Sequence, residues 1–159
     1  PLIITAAGMF FFYAKVNLVY TFTGIILAHV ALSTPFVVIT VTATLVGFDT
    51  NMTKAAQSLG ARPMRTFFKV MMPLILPGVI SGALFAFITS FDEVVVVMFV
   101  GSVEQITIPK QMWAGLRQET SPVILCMATC LVALSIALLT TVEMLRRRSE
   151  RLRGIKLRN

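Results

Sequence analysis

Asp92 and Glu93 are the residues whose placement in this chain most needs a chemical reason. They stand together in ITSFDEVVVVMFV, apolar on both sides. A carboxylate at the centre of a bilayer costs about 2.5 to 3.5 kcal/mol on insertion scales, and somewhat less nearer the surface. Consecutive helical residues point about 100° apart, so the two acids cannot both face one partner directly. One is free to line a route while a neighbouring helix holds the other. Two readings stay open at even weight: a cation-attracting position on a transport route, or an internal salt bridge or helix cap at an unwound point. Ser90 precedes the pair, and Trp113 follows in the next polar stretch. Trp113 is either an interfacial anchor, the commoner use of tryptophan near a bilayer surface, or part of an outer gate. His29, the single histidine, lies in the outer part of another apolar run, and reads as a packing residue before a pathway residue. Cys126 and Cys130 stand four apart in an apolar run, where free cysteines behave as small hydrophobes. Two cysteines without a nearby histidine make no metal site. The chain has no glycine-rich phosphate loop ending in Lys-Ser or Lys-Thr, and no nucleophile elbow. It is therefore expected to bind no ATP itself, to need no cofactor and to be no hydrolase.

The elements that position these residues are set by composition and charge. Of 159 residues, 57% are hydrophobic and 13% charged, about half the charged share of a soluble domain. The class is an all-α integral membrane protein, one transmembrane domain over residues 1–159 with about four spans. The net charge of +7 raises nucleic acid as a partner, but its placement argues against one. Seven of the fourteen cations lie in the basic tail 146–159, RRRSERLRGIKLRN, directly after an apolar run. That is a positive-inside signal with affinity for anionic lipid headgroups. Four more, Lys54, Arg62, Arg65 and Lys69, lie in the polar loop 49–77, which is therefore cytoplasmic. Lys15, Lys110 and Arg117 are left for the outer side, the last two in the extracytoplasmic loop 101–122.

Taken in order, residues 1–13 are too short to span and read as the end of a helix whose start is missing. The run 23–48 is long enough to cross a core of about 30 Å, with Pro35 as a tolerated kink. Residues 78–100 are expected as the next span, carrying small residues every four positions, Gly78, Gly82, Ala86 and Ser90, so that another helix can approach its backbone. A short helix is expected around 110–117, and residues 123–145 form the last span.

Within the cytoplasmic loop, Ala55 to Leu59 can make a short helix that Gly60 ends in a left-handed conformation. Pro63 suits the first turn of a second helix, where its missing N–H costs nothing. The alanines leave room for another protein's surface to approach closely, while Gly60 fixes the angle between the two helices.

The pattern Lys54-Ala55-Ala56, then Gly60, then Val70-Met71-Met72-Pro73 resembles the EAA loop of ABC importer permeases, with Lys54 where the family has Glu and Met72 where it usually has Leu. Ser90-Phe91-Asp92-Glu93-Val94-Val95-Val96, Thr107-Ile108-Pro109, Met112-Trp113, Ser121-Pro122 and the segment 24–38 resemble the spermidine/putrescine branch of the type I importers. The resemblance covers nearly the whole chain and corresponds to the last four of the family's six core helices. It implies a type I importer transmembrane domain, C-terminal portion, with a cytoplasmic coupling helix. It also implies an ABC ATPase subunit docking at Lys54, Ala55, Ala56, Leu59, Gly60 and Pro73, a second permease subunit, and an extracytoplasmic solute-binding protein. The substrate pathway it implies includes Ser90, Asp92, Glu93 and Trp113. A secondary transporter or channel driven by an ion gradient is the alternative, and a purely structural membrane subunit a further one; neither predicts the Ala-Ala, Gly and Met-Pro spacing.

Overall fold

The computed structural model describes residues 1–118 and 122–152, and every element among them is a helix. Ser121, the end of the basic tail, and the side chains of Arg146, Arg147 and Arg148 lie outside what is described. The elements are α1 (Leu2–Lys15), α2 (Phe22–Val46), α3 (Thr50–Ser58), α4 (Pro63–Thr66), a π-helical turn (Phe67–Met71), α5 (Met72–Phe91), α6 (Val95–Val100), α7 (Ile108–Gln118) and α8 (Pro122–Leu152). Among the described residues three helical stretches are long and apolar enough to cross a membrane, Phe22–Val46, Pro63–Phe91 and Pro122–Thr141, where about four spans were expected; the apolar α1 is shorter. Large hydrophobics such as Phe11, Phe22, Ile26, Ile39 and Leu125 are more than 60% exposed. A water-soluble monomer rarely tolerates apolar surface on that scale, and the faces suit lipid or other subunits.

One expected boundary is corrected. The span expected over 78–100 instead begins at Pro63, runs unbroken to Phe91, and is followed by the separate helix α6. Pro73 and Pro77, both within the loop expected over 49–77, lie inside helical structure. The π-helical turn accounts for this. Pro73 has no N–H to give the carbonyl of Lys69 and its ring crowds that carbonyl. The helix widens just before it, with the Met72 N–H bonding to Phe67 O five residues back. Pro35 is likewise carried inside a continuous α2.

The chain forms two compact units, one of Pro1–Thr34 with Ala86–Leu138 and one of Pro35–Phe85 with the helical residues from Leu139 on. In the first, α6 packs on α1. Val96 and Val100 join Ala6, Tyr13 and Ala28 in a buried cluster, with Met9, Leu18 and Ile25 against it. Polar bonds hold its rim: Tyr20 N–H donates to Val100 O at 2.8 Å, and the buried Gln105 donates to Tyr20 O at 3.1 Å while accepting from Ser102 N–H at 2.9 Å. In the second unit the small residues of α5 are closely met by α2. A Cβ on Gly78 would overlap Thr44, and one on Gly82 would stand 2.5 Å from Thr40 Oγ1 and 3.1 Å from Val37 Cα.

Candidate functional site

Two regions carry the residues singled out from the sequence, and the first is α3 with the turn after it. Asp49 caps α3, its carboxylate accepting the Asn51 N–H at 2.9 Å. At the other end Gly60 has φ +82°. The Ala61 N–H donates to Ala56 O at 3.1 Å and the Gly60 N–H to Gln57 O at 2.9 Å, the paired bonds of a Schellman ending. Arg62 then precedes Pro63, the first residue of α4, and Thr66 N–H donates back to Arg62 O at 3.0 Å. The tight turn between two helices read from Gly60 and Pro63 is thus formed. Lys54 and Ala55 are exposed and Ala56 is half-buried. Leu59 is 89% exposed, with Met52, Met64 and Phe68 also exposed nearby in the chain. No side chain of α3 is buried. Pro73 lies apart from this surface, at the start of α5.

The second region lies where α5 ends. Helix α5 stops at Phe91, and Asp92, Glu93 and Val94 bridge to α6. Asp92 is exposed and Glu93 is buried, so the two acids do not share one environment. Glu93 Oε1 accepts the Val96 N–H at 2.7 Å, satisfying an amide of the first turn of α6 that has no partner within its own helix. The capping alternative weighed for these acids is therefore realised by Glu93, but the same side chain also lines a cavity of about 260 Å³. Ser90, His29 and Thr107 supply the other polar groups of its wall, and Phe87, Phe91 and Ile108 supply apolar surface. Ser90 Oγ stands 2.9 Å from His29 Nδ1, and Ser33 Oγ, bonded to His29 O at 2.7 Å, lies 3.3 Å from Ala86 O.

Of the four residues expected on one pathway, Ser90 and Glu93 share this wall, Asp92 stands beside it, and Trp113 is not among the lining residues. Trp113, 45% exposed on α7, has the Arg117 guanidinium 5.8 Å from its ring centroid. His29, read first as a packing residue, is bonded to Ser90 61 positions away, as that reading expects, and also lines the cavity. The usable signal was an ionisable group inside an apolar span, which is a functional candidate by default.

Residues 1–151 match the family described as binding-protein-dependent transport system inner membrane component. The chain is 33% identical over 149 residues to the spermidine/putrescine transport system permease protein PotC of Haemophilus influenzae, covering 94% of this chain and 58% of that protein. It is 30% identical over 147 residues to its Escherichia coli K12 counterpart, covering 92% and 56%. The putrescine transport system permease protein PotI of Escherichia coli K12 is 35% identical over 106 residues, covering 67% and 38%. The chain thus spans little more than half the length of the PotC relatives it matches. It belongs to the family of binding-protein-dependent transport system inner membrane components.

Proposed function

We propose that this member of the binding-protein-dependent transport family is one permease subunit of an ATP-driven importer of polyamines such as spermidine or putrescine. It would work with a second permease, a separate ATPase and an extracytoplasmic binding protein. The observation that carries the solute reading is the acidic break between α5 and α6. A polyamine is a flexible chain of ammonium groups joined by methylenes. It needs negative potential where water is scarce, and apolar surface for its carbons. The buried Glu93 carboxylate and the exposed Asp92 provide the first, reinforced by the C-terminal end of α5, which carries roughly half a negative charge. Phe87 and Phe91, stacked with centroids 5.3 Å apart, provide the second and offer π-faces to a cation. The polyamine permeases among the relatives point the same way.

The drive enters at α3. Lys54, Ala55, Ala56, Leu59 and Gly60 form the contact for the ATPase, a short helix with no buried side chain and an exposed leucine at its end. The left-handed turn at Gly60 links α3 to α4, so a push on the first is delivered to the second, and Pro73 fixes where the membrane helix resumes regular α geometry. ATP binding closes the ATPase pair, the coupling helices move together, and the membrane helices switch from inward-facing to outward-facing. Solute handed over by the binding protein then passes between the two permeases by way of Ser90, Asp92 and Glu93, with Trp113 nearer the outer surface.

Purification of the full-length protein from its native membrane in mild detergent tests the assembly. An ATPase, a second permease and a binding protein should be recovered with it. Recovery of this protein alone, under conditions where a control importer stays intact, would overturn the coupling reading. Thermal shifts of the recovered binding protein with spermidine, putrescine and uncharged solutes of similar length test the solute; stabilisation by the uncharged solutes only would overturn the polyamine assignment.

A further inference from the structure

The cavity at the end of α5 contains a group that a cation pathway does not call for, an imidazole. His29 reaches the wall from α2, and its Nδ1 is held 2.9 Å from Ser90 Oγ. Two bonds fix its surroundings further: Ser33 Oγ bonds the backbone carbonyl of His29 itself at 2.7 Å, and Glu93 is pinned at 2.7 Å by the Val96 N–H. The ring and the carboxylate therefore share one small space of about 260 Å³.

We propose that His29 sets the charge of this cavity, so that protons compete with the cationic solute for Glu93. With a neutral imidazole the wall carries the full negative charge of Glu93 and draws in an ammonium. With a protonated imidazole that charge is answered from within the wall, and the ammonium has nothing to replace. Low pH on the side to which the cavity is open therefore slows uptake. The inference rests on the polyamine reading above and adds to it a residue and a direction.

The groups that face His29 leave this role to one pair. From α5, Ser90 is bonded to it and the rings of Phe87 and Phe91 line the same cavity; from the segment before α6, Glu93 lines it too, with Asp92 exposed beside it. Thr107, Ile108 and Pro109 complete the lining at the start of α7. The nearest cation along that helix, Lys110, gives its Nζ to Ser102 O at 2.6 Å and to Gln105 O at 3.1 Å. Among the described residues lining the cavity, Glu93 is thus the charge that the imidazole answers to. The solute cannot be the titrating partner, since alkylammonium groups lose their proton near pH 10, whereas an imidazole ordinarily does so near about 6.5.

The test uses the complete transporter, reconstituted in vesicles from the full-length protein with its companions. Initial rates of labelled putrescine uptake are measured at pH 5.5 and 7.5 and corrected for the binding protein's own affinity at each pH. A site that must be neutral to admit the ammonium makes the wild-type rate higher at pH 7.5 than at pH 5.5. His29→Asn keeps a polar atom near the Nδ1 position for Ser90 but cannot be protonated, so its two rates, whatever their size, should agree within about twofold. His29→Lys, charged at both pH values, should be slow at both. Where His29→Asn fails to co-purify with its partners, His29→Gln is read the same way. A His29→Asn or His29→Gln transporter that keeps the wild-type ratio overturns the role of His29 and leaves the polyamine reading standing. A wild-type transporter that carries no diamine or polyamine at either pH overturns the permease reading and this inference with it.

Discussion

At the residue scale, Glu93 combines two placements that the sequence presented as alternatives, a helix cap and a position open to a cavity. One oxygen accepts the Val96 amide at 2.7 Å, while the charge remains in a cavity wall. The two are separable by substitution. Glu93→Gln keeps an oxygen for the amide and removes the charge, so the protein should assemble while putrescine uptake falls by about tenfold, close to 1.4 kcal/mol of lost attraction. Glu93→Ala removes the cap as well. It leaves a buried N–H unpaired at a cost of about 1 to 3 kcal/mol, and should lower the melting temperature of the detergent-solubilised transporter by several degrees. Wild-type uptake by Glu93→Gln would take the charge off the pathway. Gly60 makes a parallel case. No atom lies within 4 Å of where its Cβ would stand, and its φ is +82°, so a side chain is opposed by backbone conformation and not by space. Asn tolerates this region far better than a β-branched residue. Gly60→Asn should therefore keep the ATPase during purification and Gly60→Val should lose it; equal retention by both would remove the left-handed turn from the coupling contact.

At the scale of elements, the informative feature is how α5 is made and ended. The stripe Gly78, Gly82, Ala86 and Ser90 was legible because small residues every four positions describe one helix face. Which residues would meet it was not. Thr44, Thr40 and Val37 face Gly78 and Gly82 in one unit, and Ser33 and His29 face Ala86 and Ser90 in the other. Gly82→Ala should cost about 1 to 3 kcal/mol through overpacking against Thr40 and Val37. Gly8→Ala, where a Cβ meets nothing within 4 Å, should melt at or slightly above the wild-type temperature because alanine favours the helix. Indistinguishable melting of the two variants, measured by fluorescence-detected size exclusion after heating, would contradict the close approach at Gly82. The π-helical turn at Phe67–Met71 was not legible from patterning, since it answers to the ring of Pro73 within an apolar sequence that any helix would accept.

At the scale of the whole molecule, orientation follows from charge, and it can be tested at two exposed sites. Leu59, 89% exposed, follows α3, and Val103, 90% exposed, follows α6. With Cys126 and Cys130 replaced by alanine, a membrane-impermeant maleimide applied to cells with a permeabilised outer membrane should label Val103→Cys and not Leu59→Cys. Both should react after the inner membrane is opened. Labelling of Leu59→Cys from outside would reverse the assigned topology and remove the basis for an ATPase contact at α3. The exposed apolar faces of α2, α5 and α8 belong to the same scale, because a chain with so little buried surface of its own must pack against lipid or other subunits.

Composition and spacing by themselves determined the membrane class and the turn at Gly60, and they set the orientation predicted from the cations; about four spans were expected, where three helical stretches among the described residues are long and apolar enough to cross a membrane. These depend on local chemistry: apolar length against bilayer thickness, positive charge beside a span, and one backbone conformation that glycine adopts without strain. Tertiary structure alone decided where α5 ends, that Glu93 turns inward to cap α6 while Asp92 stays exposed, and that His29 joins them. The last of these depends on what a residue meets across a helix contact, with partners dozens of positions away in the chain, beyond the reach of any periodicity; the Glu93 cap is a local bond three residues long that exists only because α5 breaks at Phe91.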